Sequence, residues 1–364
     1  MRVRDLWQDF DWALFAAILA LCCISVVEIY SATKNTPAEE SAAFRQLAWI
    51  AIGIILLFVV AAMDYHVISE QIPWLYLGGI AVLIYTLALG RTVAGSKSWI
   101  VLGPMRFQPS ELVKIIVIVA VARYLSELRG NRYVNFEQIV KAGLVCGIPV
   151  ALVALQPDLG TTITFFPILG IGLLVRGVKP MMLVVMLLIA ILALPASWPF
   201  LGQHQKDRIR DFVNPDQNLK GSGYQVNQSK IAIGSGGILG KGVFKGSQNQ
   251  LGFLPTRHTD FILSVVGEEM GFLGVAVTIG LLGFILFRVV NTAQTARDEL
   301  GLFIAMGVFG IYLFHIAENV GMVIGFMPMT GIPLPFMSYG GSSIMAAFTA
   351  MGLAISVRRR RFVN

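Results

Sequence analysis

The stretch Gly252-Phe-Leu-Pro-Thr-Arg-His-Thr-Asp260-Phe-Ile-Leu-Ser-Val-Val-Gly-Glu-Glu269 carries a long polar loop into a hydrophobic run and leaves a carboxylate at the junction. The run continues over 261–288, more than the roughly 20 residues a helix needs to cross a bilayer core. The fold class read from it is an all-α integral membrane protein, with Asp260 at a membrane edge. An acid there has two uses. It caps the helix that follows, or it does chemistry on a lipid-borne substrate.

Composition agrees with the membrane reading. The chain has 364 residues, 56% hydrophobic and only 13% charged, and a mean hydropathy of +0.73, more apolar surface than a soluble core hides. A formal charge of +7 would suggest nucleic acid in a soluble chain. In a membrane protein, basic residues orient loops and meet anionic lipid, so no nucleic acid is implied. Cys22, Cys23 and Cys146 lie in apolar runs without metal-ligand spacing, which argues against disulfides and zinc. The first apolar run is of spanning length and carries no small-residue cleavage site, so it is expected to be retained as a span.

Runs of spanning length fall at 12–32, 46–63, 72–90, 110–126, 137–155, 160–176, 180–197, 261–288, 301–325 and 336–357. A bundle of about ten helices is predicted, one membrane domain over 1–364 with a large loop near 198–259 between the seventh and eighth. An even count puts both termini on one side. If that side is the cytoplasm, the short inner segments hold Arg2, Arg4, Arg123, Arg129, Arg132, Lys141, Arg176, Lys179, Arg288, Arg297 and Arg358 to Arg361. The short outer ones hold Lys34, Arg45, Arg91, Lys97 and Arg106. This asymmetry follows the positive-inside rule, from which long loops are exempt. Asp260 then faces outward. The long loop, with Arg208 to Pro215 and a glycine-rich 221–242, interleaves Ile, Val and Tyr with its glycines and is expected to fold onto the membrane surface.

Charges inside a bilayer cost about 2.5–3.5 kcal/mol on insertion scales, so each needs a partner or a cavity. Glu111 and Lys114 are three apart on one helix face, consistent with an ion pair, a phosphate contact through the ammonium, or both. Asp158 stands where a helix begins, as an N-cap or part of a site wall. His315, Glu318 and Asn319 share a face and read as interhelical hydrogen-bonding groups. In Met327-Pro-Met-Thr-Gly-Ile-Pro-Leu-Pro-Phe-Met-Ser-Tyr-Gly-Gly-Ser-Ser343, irregular backbone leads into a helix. It is tolerated at membrane depth where it lines a cavity, and Ser338 and the N–H groups near it are candidates for holding a phosphate.

Taken together, Phe107-Gln-Pro-Ser-Glu111, Gln156-Pro-Asp-Leu-Gly160, His258-Thr-Asp-Phe261 with Glu268-Glu269, and 328–343 resemble, in order and spacing, the shape, elongation, division and sporulation family of membrane proteins. The resemblance covers nearly the whole chain. Arg106-Phe-Gln-Pro-Ser-Glu111 and Arg257-His-Thr-Asp-Phe-Ile262 are most similar to the elongation member, with the division member a near neighbour.

The resemblance implies a ten-helix glycosyltransferase of the bacterial cytoplasmic membrane. It would polymerise lipid II, the undecaprenyl-pyrophosphate-linked disaccharide pentapeptide, beside a class B penicillin-binding protein that crosslinks the strands. The family's essential acid carries over to Asp260, and Arg208, Glu111, Lys114 and Asp158 match its other polar positions. Many relatives place an acid after the motif's proline; this chain has Thr256, which leaves Asp260 as the lone carboxylate of the motif.

In that chemistry Asp260 is the base for the acceptor hydroxyl. Arg208, Lys114, Arg106 and Lys241 are candidate cations for the departing pyrophosphate, with or without a divalent metal such as Mg2+. The rival readings are a lipid-linked sugar flippase, which would want its charges near the midplane, and a recruiting scaffold, which leaves the outer acids and bases without a task. Gly267, Gly271, Gly274, Gly280, Gly301, Gly307 and Gly310 are expected to offer a groove to the partner's membrane helix.

Overall fold

The computed structural model describes residues 10–36, 39–93, 95–103, 105–128, 133–214 and 221–361. Arg2, Arg4, Arg129, Arg132 and Pro215, used in the sequence reading, lie outside these.

The chain runs α1 (Trp12–Thr33), α2 (Ala42–Ala62), α3 (Tyr65–Glu70), α4 (Ile72–Leu89), strands β1 (Arg91–Val93), β2 (Ser96–Leu102) and β3 (Met105–Phe107), then α5 (Pro109–Glu127), α6 (Phe136–Ala154), α7 (Leu159–Thr164), α8 (Phe166–Arg176) and α9 (Pro180–Ser197). The long loop holds a 3-10 turn (Trp198–Phe200), α10 (Gln203–Val213), α11 (Ser222–Gly236) and α12 (Ser247–Gln250). The chain closes with α13 (Ile262–Glu269), α14 (Gly271–Gln294), α15 (Glu299–Val323) and α16 (Gly341–Arg359).

Helix occupies each stretch read as a span, and among the described residues 8 helices are long and apolar enough to cross a membrane by length and composition. The helix over the stretch read as 110–126 runs Pro109–Glu127 and carries Glu111, Lys114, Arg123 and Glu127.

Three departures from the sequence reading bear on the site. The run over 261–288 is two helices, because Gly271 adopts φ +67 and interrupts the ladder after Glu269. The last helix starts at Gly341 instead of 336, since three prolines and their neighbours keep 327–340 irregular. Between α4 and α5 lies an antiparallel sheet, ordered β1-β2-β3 with Arg91 opposite Trp99 and Ile100 opposite Phe107.

The break at Gly271 is where the long loop enters the fold. The Gly240 N–H donates to Gly236 O, while the N–H groups of Lys241 and Gly242 donate to the carbonyls of Glu268 and Glu269. The N–H groups of Phe272 and Leu273 donate in turn to Gly237 and Ile238. A loop segment thus takes up the orphan groups of two abutting helix ends. Glu268 and Glu269 reach back into the loop. Glu268 accepts from Gln248 N at 2.9 Å and Asn249 N at 3.0 Å, and Glu269 from Ser31 Oγ at 2.6 Å and Phe244 N at 2.7 Å.

The expected partner groove is not open. A methyl on Gly271 would lie 2.3 Å from Gly240 N, on Gly267 2.9 Å from Ile233, on Gly274 2.2 Å from Met270 Cβ, on Gly307 2.7 Å from Ile118 and on Gly310 2.9 Å from the Pro167 carbonyl. Gly301 packs against Val357, also at 2.9 Å. These glycines serve close packing within the chain, and of those named only Gly280 has nothing within 4 Å.

Gly271→Ala, placing a side chain at positive φ against backbone, is expected to destabilise the protein by about 2 kcal/mol or more, whereas Gly280→Ala should stay within about 1 kcal/mol of the parent or stabilise it. Thermal unfolding in detergent checks the contrast.

Candidate active site

Asp260 ends a tight turn and is not a cap. Thr256 O accepts from Thr259 N at 3.2 Å and Phe261 N at 3.3 Å, and α13 begins only at Ile262, with Phe261 at the N-cap and no side-chain capping bond. The turn is anchored on three sides. Arg257 donates to Ala32 O at 2.6 Å and Thr36 Oγ1 at 2.7 Å, Tyr339 N donates to His258 O at 2.9 Å, and Asn319 Nδ2 donates to Asp260 O at 2.9 Å. The same amide donates to Ile332 O at 2.9 Å, tying this turn to the irregular segment before α16.

Arg208 meets Asp260 from α10. Its Nη1 donates to Thr330 O at 2.9 Å, and its Nη2 lies 3.3 Å from His204 Nε2. A methyl built on Gly331 would stand 3.6 Å from Asp260 Oδ2 and 3.8 Å from Arg208 Nη1. Carboxylate and guanidinium therefore converge over a residue with no side chain, at φ +79. Burial lowers the proton affinity of the guanidinium, and the charges of three carboxylates, Asp260, Asp158 and Glu318, oppose that fall without cancelling it. Burial pushes the Asp260 carboxyl up to about 6 against the lowering pull of Arg208 and Thr259.

Asp158 is the N-cap read for it. Oδ1 caps α7 at Thr161 N (3.1 Å), Oδ2 accepts from Gln108 Nε2 at 2.7 Å, and its charge reaches Arg208. Glu318, read only as an interhelical group, belongs to the site as well: it accepts the Thr330 hydroxyl and feels the charge of Asp260. Thr256, where many relatives carry an acid, donates its hydroxyl to Gln225 Oε1 at 3.1 Å.

Glu111 and Lys114 form the expected ion pair at 2.8 Å, with Lys114 2% exposed. Lys114 Nζ also lies 3.4 Å from His315 Nε2, and His315 Nδ1 lies 3.3 Å from Pro333 O. A lysine ammonium only donates, so Nε2 accepts and Nδ1–H donates. The pair lines a pocket with Tyr312, Leu334 and Phe336, beneath the segment that carries Thr330 and Gly331.

Other candidates stand elsewhere. Lys241 is paired with Glu268 at 2.7 Å and Ser247 at 2.9 Å. Ser338 is 1% exposed and accepts from Leu334 N at 2.8 Å, so it shapes the segment and does not face an anion. Arg106 is exposed on β3. Among the described residues no three His, Cys, Asp or Glu side chains are grouped to hold a metal; the carboxylates converge on Arg208 instead.

Neutralising one partner of the buried pair, Glu111→Gln or Lys114→Met, should cost about 3–5 kcal/mol. The double variant should cost clearly less than the two together, by about 1–3 kcal/mol. A double-mutant cycle on thermal stability measures this.

The cell cycle protein family model matches residues 10–362. Peptidoglycan glycosyltransferase RodA of Treponema pallidum is 32% identical, over 99% of this chain and 100% of that protein. Peptidoglycan glycosyltransferase MrdB of Escherichia coli is 35% identical, over 98% of this chain and 96% of that protein. A solved chain from work on structural coordination of polymerization and crosslinking by a peptidoglycan synthase complex has a TM-score of 0.84 at 30% identity, covering 98% of this chain and 100% of that one.

Proposed function

The chain belongs to the cell cycle protein family of FtsW, RodA and SpoVE, and we infer that it is an elongation-type peptidoglycan glycosyltransferase that polymerises lipid II. The observation that carries the reading is the meeting of Asp260 and Arg208 over Gly331. A base and a fixed cation stand together there, beside the irregular segment that precedes α16.

The reaction needs both groups. Ionised Asp260 takes the proton of an acceptor sugar hydroxyl as that oxygen attacks the donor's anomeric carbon. The bond to the lipid pyrophosphate breaks with its electron pair, and the charge developing on the phosphate oxygen is met by Arg208. The pyrophosphate linkage supplies the driving force, so no nucleotide is required on that side of the membrane. Thr330 O fixes the guanidinium before substrate arrives, which lowers the reorganisation cost at the moment of transfer.

The site is assigned to the outer face, with both termini cytoplasmic. Supporting this, Arg288 and Arg358 reach Asp11 at 2.6 and 3.4 Å and Arg360 reaches Asp64 at 3.1 Å, so basic residues gather at the helix ends away from Asp260. The partner assigned is a class B penicillin-binding protein, in line with the solved synthase complex.

Purified protein given lipid II should make glycan strands visible on a gel, and Asp260→Asn should lower the rate by about 10²–10⁴ while the protein stays folded. Wild-type product from the Asn variant would remove Asp260 from the base role. Because the base works ionised and burial places its proton affinity at about 6, kcat/KM should climb as pH rises through that value and fall away below it.

A further inference from the structure

Arg208 also lines a second cavity, of about 330 Å³, between α10, α11 and the segment that follows α15. From α10 come Arg208, Asp211 and Phe212, and from α11 Gly223, Val226 and Lys230. Each set is spaced to share one helix face. Met327 and Met329 line it from the following segment.

Both cations of this cavity lie over glycine. Gly325 and Gly331, in one irregular segment, each adopt φ +79. A methyl on Gly331 would stand 3.8 Å from Arg208 Nη1, and one on Gly325 would stand 2.4 Å from Lys230 Nζ, so a side chain at 325 would displace the ammonium. Lys230 is exposed, and among the described residues no carboxylate pairs with it. The acid of the cavity, Asp211, is already engaged by Ser222, whose N–H and hydroxyl donate to it at 3.0 and 2.6 Å. Two cations therefore line the cavity against one acid, beside an apolar wall of Phe212, Val226, Met327 and Met329. Next along the chain, Val213, Ile324 and Phe326 are exposed apolar side chains.

Fixed positive charge beside apolar side chains suits an anion carried on a hydrocarbon chain. A diphosphate spreads its charge over two groups and can engage two separate cations, arginine as a fork and lysine as a point charge. The plainer duty for Lys230 is to offset the carbonyl end of α15 at Val323 and Ile324, which needs neither the cavity nor a second cation.

We propose that Lys230 is the second cation of the site: with Arg208 it holds the diphosphate of the polyprenyl-linked donor in this cavity, and the polyprenyl chain leaves past Phe212 and Met327. The proposal rests on the glycosyltransferase reading and adds a residue of the long loop to it. Charge on the diphosphate grows as its bond to the sugar breaks, so one contact serves both binding and departure.

Undecaprenyl diphosphate added to the purified protein in detergent tests this without turnover. Wild type should bind it about ten-fold more tightly than undecaprenyl phosphate, and Lys230→Met should lose about ten-fold in affinity for the diphosphate together with most of that preference. Lys230→Arg, which keeps the charge, should stay within about three-fold of wild type. In glycan polymerisation, the Met variant should lower kcat/KM for lipid II by about ten- to hundred-fold.

Wild-type affinity for the diphosphate in the Met variant, or no binding by wild type, overturns the proposal. Equal competition by phosphatidylglycerol does the same, since the cavity would then be a headgroup site for bulk lipid. A Met variant that loses thermal stability without ligand but binds the diphosphate normally assigns Lys230 to the end of α15 and also overturns it. Lys230→Gln carries the same measurements if the Met variant is not monodisperse. A wild type that binds the lipid diphosphate through Lys230 yet makes no glycan counts against the polymerase reading alone.

Discussion

One buried amide joins the two irregular segments from which the site is built. Asn319, fully buried on α15, donates to the carbonyls of Asp260 and Ile332, so the turn carrying the base and the segment carrying Thr330 and Gly331 share one anchor. Irregular backbone at membrane depth has carbonyls that neither water nor a helix ladder satisfies. Each must find an internal donor, and here those donors also set the site. Arg208 satisfies Thr330 O, His315 satisfies Pro333 O, and Ser25 satisfies Met337 O at 2.6 Å.

This economy explains how the polar residues divide. α15 presents His315, Glu318 and Asn319 within little more than one turn, and the three point to different parts of one neighbour. His315 links the Glu111–Lys114 pair to Pro333, Glu318 holds Thr330, and Asn319 holds Ile332. The buried ion pair is thus a support beneath the loop as well as a pair, and the distance from Lys114 to the loop is spanned by a neutral imidazole. A displaced Lys114 would be felt at Thr330 through Pro333, without lysine touching substrate.

Much of this was legible in the residues. Hydrophobic runs marked the helices, Asp260 stood out where a polar loop enters an apolar run, Asp158 and the Glu111–Lys114 pair stood out because charge among apolar residues demands a reason, and Arg208 was placed by the family resemblance. What escaped depends on long-range pairing. Lys241 meets Glu268 only because the loop folds back onto the α13–α14 junction, and that junction was hidden since the hydrophobic run is continuous across Gly271. Strands of three and seven residues in the β1–β3 sheet leave little periodic signal. Glu318 was read for its own helix face, whereas its partner Thr330 arrives from the segment beyond that helix.

The helix ends far from Asp260 follow another logic. Asp11 caps α1 and pairs with Arg288 and Arg358. Asp298 caps α15, takes the Tyr65 hydroxyl at 3.0 Å and meets His66 at 2.6 Å, while His66 and Arg360 both reach Asp64. Among the described residues these are regular caps and ion pairs at helix termini, with no irregular segment there comparable to 324–340. A site held to a fraction of an ångström needs a firm frame. Concentrating conventional capping and charge pairing at one end lets the other carry three carboxylates around a single arginine.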